Sequence, residues 1–216
     1  MGHIENINQF KRTKGILQDM TPAMAIQLLV DGNRRFTSKD MMQRNHEWQM
    51  QETIDSQHPF AIVLGCIDSR VNPAMVFDQG IGDLFIARVG GNIINQDILG
   101  SMEYACAVVG SKLIVVLGHT ACGAIKGACD NVVLGNLTAT LRHIKLAIER
   151  VETPENYDRS GDNLAFIDAV AFKNVELSID DIKSQSPVLK ELYDKGEIDI
   201  VGAIYNHATG FVEFCK

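Results

Sequence analysis

The sequence predicts an α/β protein built on a parallel sheet, and three observations carry that expectation. Short, β-branched, nearly continuous apolar runs recur at "FAIVLGC" (60–66), "LFIARV" (84–89), "KLIVVLGH" (112–119) and "DIVGAIYN" (199–206), a texture that suits strands buried on both faces. Segments of helical patterning separate them, and strand alternating with helix implies parallel strands joined by right-handed crossovers. The chain closes on "IYNHATGFVEF", which reads as a strand, a Gly-containing turn and a returning edge strand.

Taken in order, residues 1–20 are polar and weakly patterned, and we expect an arm there. Thr21-Pro22 opens a helix, Thr as N-cap and Pro at the first helical position, with Ala25, Leu28, Leu29 and Phe36 at helical spacing. Residues 38–58 are polar and hold the sole tryptophan, Trp48. Helices are expected at "NPAMVFDQ" and "QDILGSMEYACAVVG", over 134–151, and, after the break "TPENYDRSGD", over 162–184 and 187–195. There is no internal repeat and no low-complexity segment.

Composition narrows the functional classes. A chain of 216 residues with 46% hydrophobic and 22% charged residues can bury a core without disulfides and resembles neither a disordered nor a fibrous chain. The net charge of −7, with no run of Lys or Arg longer than two, argues against a nucleic-acid surface and against binding to anionic membrane. The N-terminus lacks the apolar core of a signal peptide and no stretch is long enough to span a bilayer, so we expect a cytoplasmic protein. Five cysteines, Cys66, Cys106, Cys122, Cys129 and Cys215, are too few and too irregular for a disulfide scaffold and are better read as ligands, nucleophiles or core.

Two strand ends concentrate the chemistry. Along an extended strand, residues two apart point the same way, so Cys66 and Asp68 are expected to project together from the end of the first run. "GHTACG" places His119 and Cys122 at the end of the third. In open α/β sheets ligands gather outside those carboxyl ends, and two thiolates, an imidazole and a carboxylate suit a tetrahedral zinc. With all four bound the site is closed. Arg70, two residues after Asp68, offers a fork that can take the carboxylate off the metal and leave a place for water, which the metal would acidify into a hydroxide nucleophile. Because two thiolates cancel the charge of the ion, activity is expected to rise toward alkaline pH, and a flat profile from about pH 6 to about pH 9 would count against this reading.

Taken singly, Cys66 reads as a small core residue and Arg70 as a surface or capping arginine. The pairing of Cys-x-Asp with His-x-x-Cys after two buried strands makes the difference. Competing motifs fail. Gly118 and Gly123 stand at Walker A spacing, but Ala124 occupies the lysine position, and "GIGDLF" precedes a strand and has Phe85 where a dinucleotide fingerprint needs Gly or Ala. A Cys66–Cys122 redox pair would leave His119 idle.

"CIDSRV", "FIARVGGN", "SMEYA" and "GHTACGAIKG" together closely resemble the β-class carbonic anhydrases, strongly over 57–127 and more loosely from "LLVDGNRRF" to "GAIYNHATG". The resemblance implies zinc ligands Cys66, Asp68, His119 and Cys122, one Zn2+ per chain, an Asp68–Arg70 dyad, and reversible hydration of carbon dioxide to bicarbonate and a proton. It implies a plant-type pocket in which Gln57, nine residues before Cys66, Phe85, Tyr104 and Gly123 bind substrate; by themselves Phe85 reads as core, Tyr104 as helix packing and Gln57 as solvated loop. A relative subgroup uses a tryptophan and an arginine for noncatalytic bicarbonate, and Trp48 and Arg44 stand in that general region, but Gln57 favours the plant-like subgroup. Gly90 in "RVGGN" departs from the alanine more usual in bacterial relatives, with little expected effect on chemistry.

The implied fold is a four-stranded, mostly parallel sheet with an added edge strand, flanked by helices. A single domain over 1–216 divides into an N-terminal helical arm (1–58), a zinc-site core (59–130) and a helical segment with the C-terminal strands (131–216). The implied assembly is a homodimer or homotetramer whose arm, its apolar face without an obvious home in one domain, packs on the partner, with Gln57 reaching across. Other readings stay open: hydrolysis of carbon disulfide or carbonyl sulfide on the same fold, and a catalytically silent zinc or bicarbonate-sensing protein. Cys106 is expected in the core, Cys129 and Cys215 as structural or incidental, and His58 as a solvated or proton-relaying neighbour of Gln57. His3, His46, His143 and His207 carry no signal.

Overall fold

The structure, a computed structural model, describes residues 13–215; the first part of the expected arm, with His3, lies outside them. Five strands form one sheet: β1 (Ala61–Gly65), β2 (Leu84–Arg88), β3 (Leu113–His119), β4 (Asp199–Tyr205) and β5 (Val212–Cys215). Their order is β2-β1-β3-β4-β5, parallel throughout except for β5, which returns antiparallel to β4. The expected sheet and its edge strand are both present.

Period-two alternation sorts the strand residues onto two faces. Ala61 and Val63 of β1 and Leu113, Val115 and Leu117 of β3 join one core, while Ile62, Leu64, Ile114 and Val116 join another on the opposite side. The first is covered by α1 (Lys14–Asp19), α2 (Pro22–Ser38) and α4 (Pro73–Val76); between the last two comes the short, exposed α3 (His46–Glu52). The second is covered by α5 (Gln96–Glu103), α9 (Leu164–Gln185) and α10 (Pro187–Asp194). A third core, at the carboxyl ends of the strands, gathers Cys66, Cys122 and α6 (Gly123–Cys129), α7 (Gly135–Arg142) and α8 (Lys145–Arg150) against α9.

Helix α2 begins as its sequence predicts, with Thr21 Oγ1 accepting from the Met24 amide at 3.2 Å and Pro22 in first place. Its apolar face, expected to lack a home, finds one on its own sheet. Ala25 and Leu29 are fully buried there. Buried Asn33 ties the helix down further, donating to the carbonyls of Val76 (3.1 Å) and Gly210 (2.9 Å) and accepting from the Val212 amide (2.8 Å). Gly32 allows the approach, since a Cβ there would lie 1.8 Å from the Phe77 carbonyl oxygen. The segment before it is also partly built in, with Leu17 and Met20 buried.

Other boundaries differ locally. The polar 38–58 stretch holds α3, capped by Asn45. The helix expected over 134–151 is two helices, α7 and α8, but Leu141, Ile144 and Ala147 keep one buried stripe across the break, so the sequence pattern runs on where the backbone does not. The segment after α5 winds on as a π-helix over Tyr104–Val109 and stops at Gly110, whose φ is +94°.

Candidate metal centre

Strands β1 and β3 lie side by side with Gly65 opposite Leu117, so their carboxyl ends deliver Cys66 and His119 to the same end of the sheet. The chain leaves β3 through a sharp turn at Ala121, whose φ is +52°. The Ala121 amide donates to Asp168 Oδ1 of α9 at 2.8 Å, and the turn returns Cys122 to the mouth as the N-cap residue of α6. Asp168 thus holds a non-glycine residue in the left-handed region.

Cys66, His119 and Cys122 are 4%, 0% and 1% exposed, and one ligand atom from each lies within 4.8 Å of the others. The two sulfurs stand 4.0 Å apart. That is too far for a disulfide, at about 2.05 Å, and close to the roughly 3.8 Å that two thiolates span on one tetrahedral zinc. His119 Nδ1 lies 2.9 Å from the Thr120 carbonyl oxygen, while its Nε2 is buried without a hydrogen-bond partner. An orphaned imidazole nitrogen beside two buried sulfurs is a donor set that fits a zinc ion, and it disfavours the redox-pair reading.

The thiols differ. Hydrogen bonding from Cys122 lowers the Cys66 thiol well below its ordinary range against the opposing effect of burial, helped by His119 and by the Gly91 and Asp68 amides. The same hydrogen bond with Cys66, then burial and the charge on Cys66, pushes Cys122 up. The Gly91 amide reaches Cys66 Sγ at 3.3 Å, and its carbonyl accepts from Asn174 Nδ2 at 2.9 Å. Gly91 needs to be glycine: its φ is +72° and a Cβ would lie 2.7 Å from Ile144 Cδ1. Gly91→Ala is therefore expected to lower stability by about 1–3 kcal/mol, read as an earlier urea midpoint.

Asp68 does not stand beside the sulfurs. Strand β1 ends at Gly65, so the alternation that would align Asp68 with Cys66 stops, and residues 66–70 turn. Arg70 holds both carboxylate oxygens, Nε to Oδ1 at 2.9 Å and Nη2 to Oδ2 at 2.7 Å, and its own amide adds a third bond to Oδ1 at 3.0 Å. These bonds keep the Asp68 carboxyl well below the usual carboxylate range. Arg88 of β2 braces the turn, donating to the carbonyls of Cys66 (2.9 Å) and Asp68 (2.6 Å). Asp68 instead shares a second cluster with His119 and His207, within the same 4.8 Å limit.

His207 had no signal in the sequence. It follows β4, the other neighbour of β3, and residues just past a strand end in a parallel sheet can line the crevice. That position was its one available clue. Its imidazole is held below the ordinary histidine value, first by burial and then by the charges of His119 and Arg70.

The expected substrate residues are not gathered on the metal cluster within one chain. Phe85 and Tyr104 pack edge to face, centroids 6.1 Å apart, in a cleft of about 1150 Å³ on the β2 side. Phe85 pairs with Ile62, four residues back from Cys66. Exposed Gln57, and His58 beside it, precede β1 at the amino end of the sheet, a strand length of roughly 16 Å from the cluster. Gly123 opens α6 directly after Cys122, with nothing within 4 Å of where a Cβ would lie. Arg44 is committed to fully buried Asp78 (Nη1 to Oδ1, 2.5 Å), which Arg35 also holds at 2.5 Å, so it is no free bicarbonate ligand. Cys106 is a core thiol, pushed up to about 12 by burial.

A protein-family model described as carbonic anhydrase matches residues 61–212. A carbonic anhydrase of Mycolicibacterium smegmatis is 33% identical over 91% of this chain and 95% of its own. Among solved structures, a Coccomyxa β-carbonic anhydrase in complex with acetazolamide aligns with a TM-score of 0.68 at 24% identity, over 86% of this chain and 83% of that one. One of two tetrameric β-carbonic anhydrases from Sordaria macrospora aligns at 0.65 and 22% identity, over 78% and 89%.

Proposed function

The chain belongs to the β-class carbonic anhydrase family, and from that premise we propose that it hydrates carbon dioxide reversibly to bicarbonate and a proton, holding one zinc ion through Cys66, His119 and Cys122. The observation that carries the reading is the unpartnered, buried His119 Nε2 beside two sulfurs 4.0 Å apart. Zinc in that position supplies a Lewis acid able to bring the pKa of a water molecule down toward neutrality.

The chain's own residues do the rest. Arg70 engages both Asp68 oxygens and so holds the carboxylate away from the cluster; Asp68 could turn toward a bound metal only by giving up that fork. With both oxygens engaged, Asp68 stays ionised and serves as a hydrogen-bond acceptor that orients a water. Arg88 holds the turn that sets the separation of Cys66 from Asp68. Arg70→Lys is expected to lower kcat/KM about tenfold at unchanged zinc content, because a point charge cannot reproduce the fork. Equal activity would show that charge alone suffices.

Carbon dioxide is small and apolar, so its pocket needs an apolar wall and one donor aimed at the oxygen that becomes negative. We assign those roles to Phe85, Tyr104 and Gln57, with the Gly123 backbone at the mouth. Gln57 lies a strand length from its own chain's cluster, which supports a homodimer in which each chain completes the other's site; pairing of two dimers gives the tetramer. No helix among the described residues is long and apolar enough to cross a membrane, and we place the enzyme in the cytoplasm, where a reduced thiol pair persists.

Stopped-flow carbon dioxide hydration on metal-quantified protein across pH tests the proposal. Turnover that rises toward alkaline pH supports it. Zinc-loaded protein without turnover identifies the silent reading, and turnover of carbonyl sulfide or carbon disulfide in its place identifies the hydrolase.

A further inference from the structure

His207 lies against the one imidazole of the metal cluster. Its Nε2 is 2.9 Å from His119 Nδ1, and the two rings meet edge to face with centroids 4.9 Å apart. His119 Nδ1 also lies 2.9 Å from the Thr120 carbonyl oxygen. A carbonyl can only accept, so Nδ1 must carry the proton, and Nε2 is then the bare nitrogen that faces Cys66 and Cys122. The same proton points between two acceptors. Nε2 of His207 must therefore offer its lone pair, which puts the His207 proton on its own Nδ1.

The placement of His207 is built. Register sets Tyr205 opposite His119 across β3 and β4, and the Thr120 amide donates to the Tyr205 carbonyl at 3.0 Å. The His207 amide donates to Thr120 Oγ1 at 3.1 Å, and the Tyr205 ring meets the His207 ring at 89°. Asn206 closes the turn that carries it, its Oδ1 accepting from the Ala208 and Thr209 amides.

We propose that His207 is a positioning residue for the metal centre: its Nε2 shares the His119 Nδ1 proton with the Thr120 carbonyl and so locks the tautomer and ring direction that aim His119 Nε2 at the cysteine sulfurs. Partners of this kind tune a ligand's basicity and orientation and are worth about 10- to 100-fold in metal affinity. The inference rests on zinc binding by Cys66, His119 and Cys122, as proposed above.

The test uses the full chain. His207→Phe keeps a ring but removes the acceptor, and His207→Gln restores an acceptor oxygen. Zinc affinity, by competition with a chromophoric chelator, should fall about 10- to 100-fold in His207→Phe and largely recover in His207→Gln. The thiolate-to-metal bands of the cobalt-substituted protein should shift in the first variant and return in the second. Zinc affinity within about twofold of the parent in His207→Phe, with unchanged cobalt bands, would overturn the proposal while leaving the zinc site standing. A parent protein that binds no zinc would instead remove the functional reading beneath it. Should His207→Phe not fold, ring-nitrogen NMR on the zinc-loaded parent decides: an unprotonated His207 Nε2 coupled to a His119 Nδ1 proton supports the lock, and a protonated His207 Nε2 sinks it.

Discussion

Cys122→Ser is expected to cost this protein its zinc and with it essentially all turnover. The site offers three buried donors on the geometry seen here, and Cys122 is the one presented by the strained turn at Ala121. A serine hydroxyl does not ionise near neutrality and is a poor match for zinc beside sulfur. If the binding free energy of a structural zinc, about 10–16 kcal/mol, is shared among the three protein ligands, losing one costs about 3–5 kcal/mol, or hundreds- to thousands-fold in affinity. The measurement is metal content after dialysis together with chelator competition, and a variant that retains one zinc per chain and full turnover would dismiss this cysteine as a ligand.

The same contrast between the thiols makes a calorimetric prediction. Cys66 is lowered and Cys122 raised, so the metal-free site at neutral pH holds one thiolate and one thiol. Zinc binding then releases about one proton, not two. Titrations in buffers of differing ionisation enthalpy read that number directly, and a release near two would show that Cys66 also starts protonated.

Asp68→Asn carries the second large effect, and it separates metal binding from turnover. An asparagine presents an NH2 group where the guanidinium already presents donors, so the three bonds to Arg70 cannot all be remade. Zinc should stay near one per chain, because Asp68 is not among the three converging donors. Turnover should fall about 100-fold, the contribution expected of a positioned acid–base group. Full activity in this variant would sink the dyad mechanism.

Acid stability supplies an independent check on the pair. The folded-state pKa of Asp68 is depressed, so the stabilisation from its pairing is complete above its unfolded value of about 3.9 and fades as pH falls through the folded value. The parent should therefore lose stability relative to Asp68→Asn as pH drops below about 4. The effect is modest because the Arg70 side chain is 56% exposed and screened by solvent.

Much of the centre was legible because each ligand follows a buried strand directly in sequence. Cys66 comes one residue after β1, His119 ends β3, and Cys122 is three residues further. The partners that fix them were not legible, because each is local to a different element. Asp168 and Asn174 sit on α9, Arg88 on β2 and His207 beyond β4, and only the folded sheet brings them together. Asp68 divides: its partner Arg70 was legible two residues away, and its direction was not. Alternation along an extended strand placed it beside Cys66, but the strand stops at Gly65 and a turn sends it to Arg70.

By itself the sequence determined the parallel sheet with its returning edge, the cysteine–histidine donor set and the neighbouring Asp-Arg pair, since all of these are encoded within a few residues by strand periodicity and donor chemistry. Tertiary structure alone decided that α2 covers its own sheet, that Asp168 and Asn174 of α9 brace the cluster, and that His207 lies against His119. The physical reason is common to all three: each depends on which distant surfaces meet when strands pair in register, and pairwise distance between separate elements is not written in local pattern.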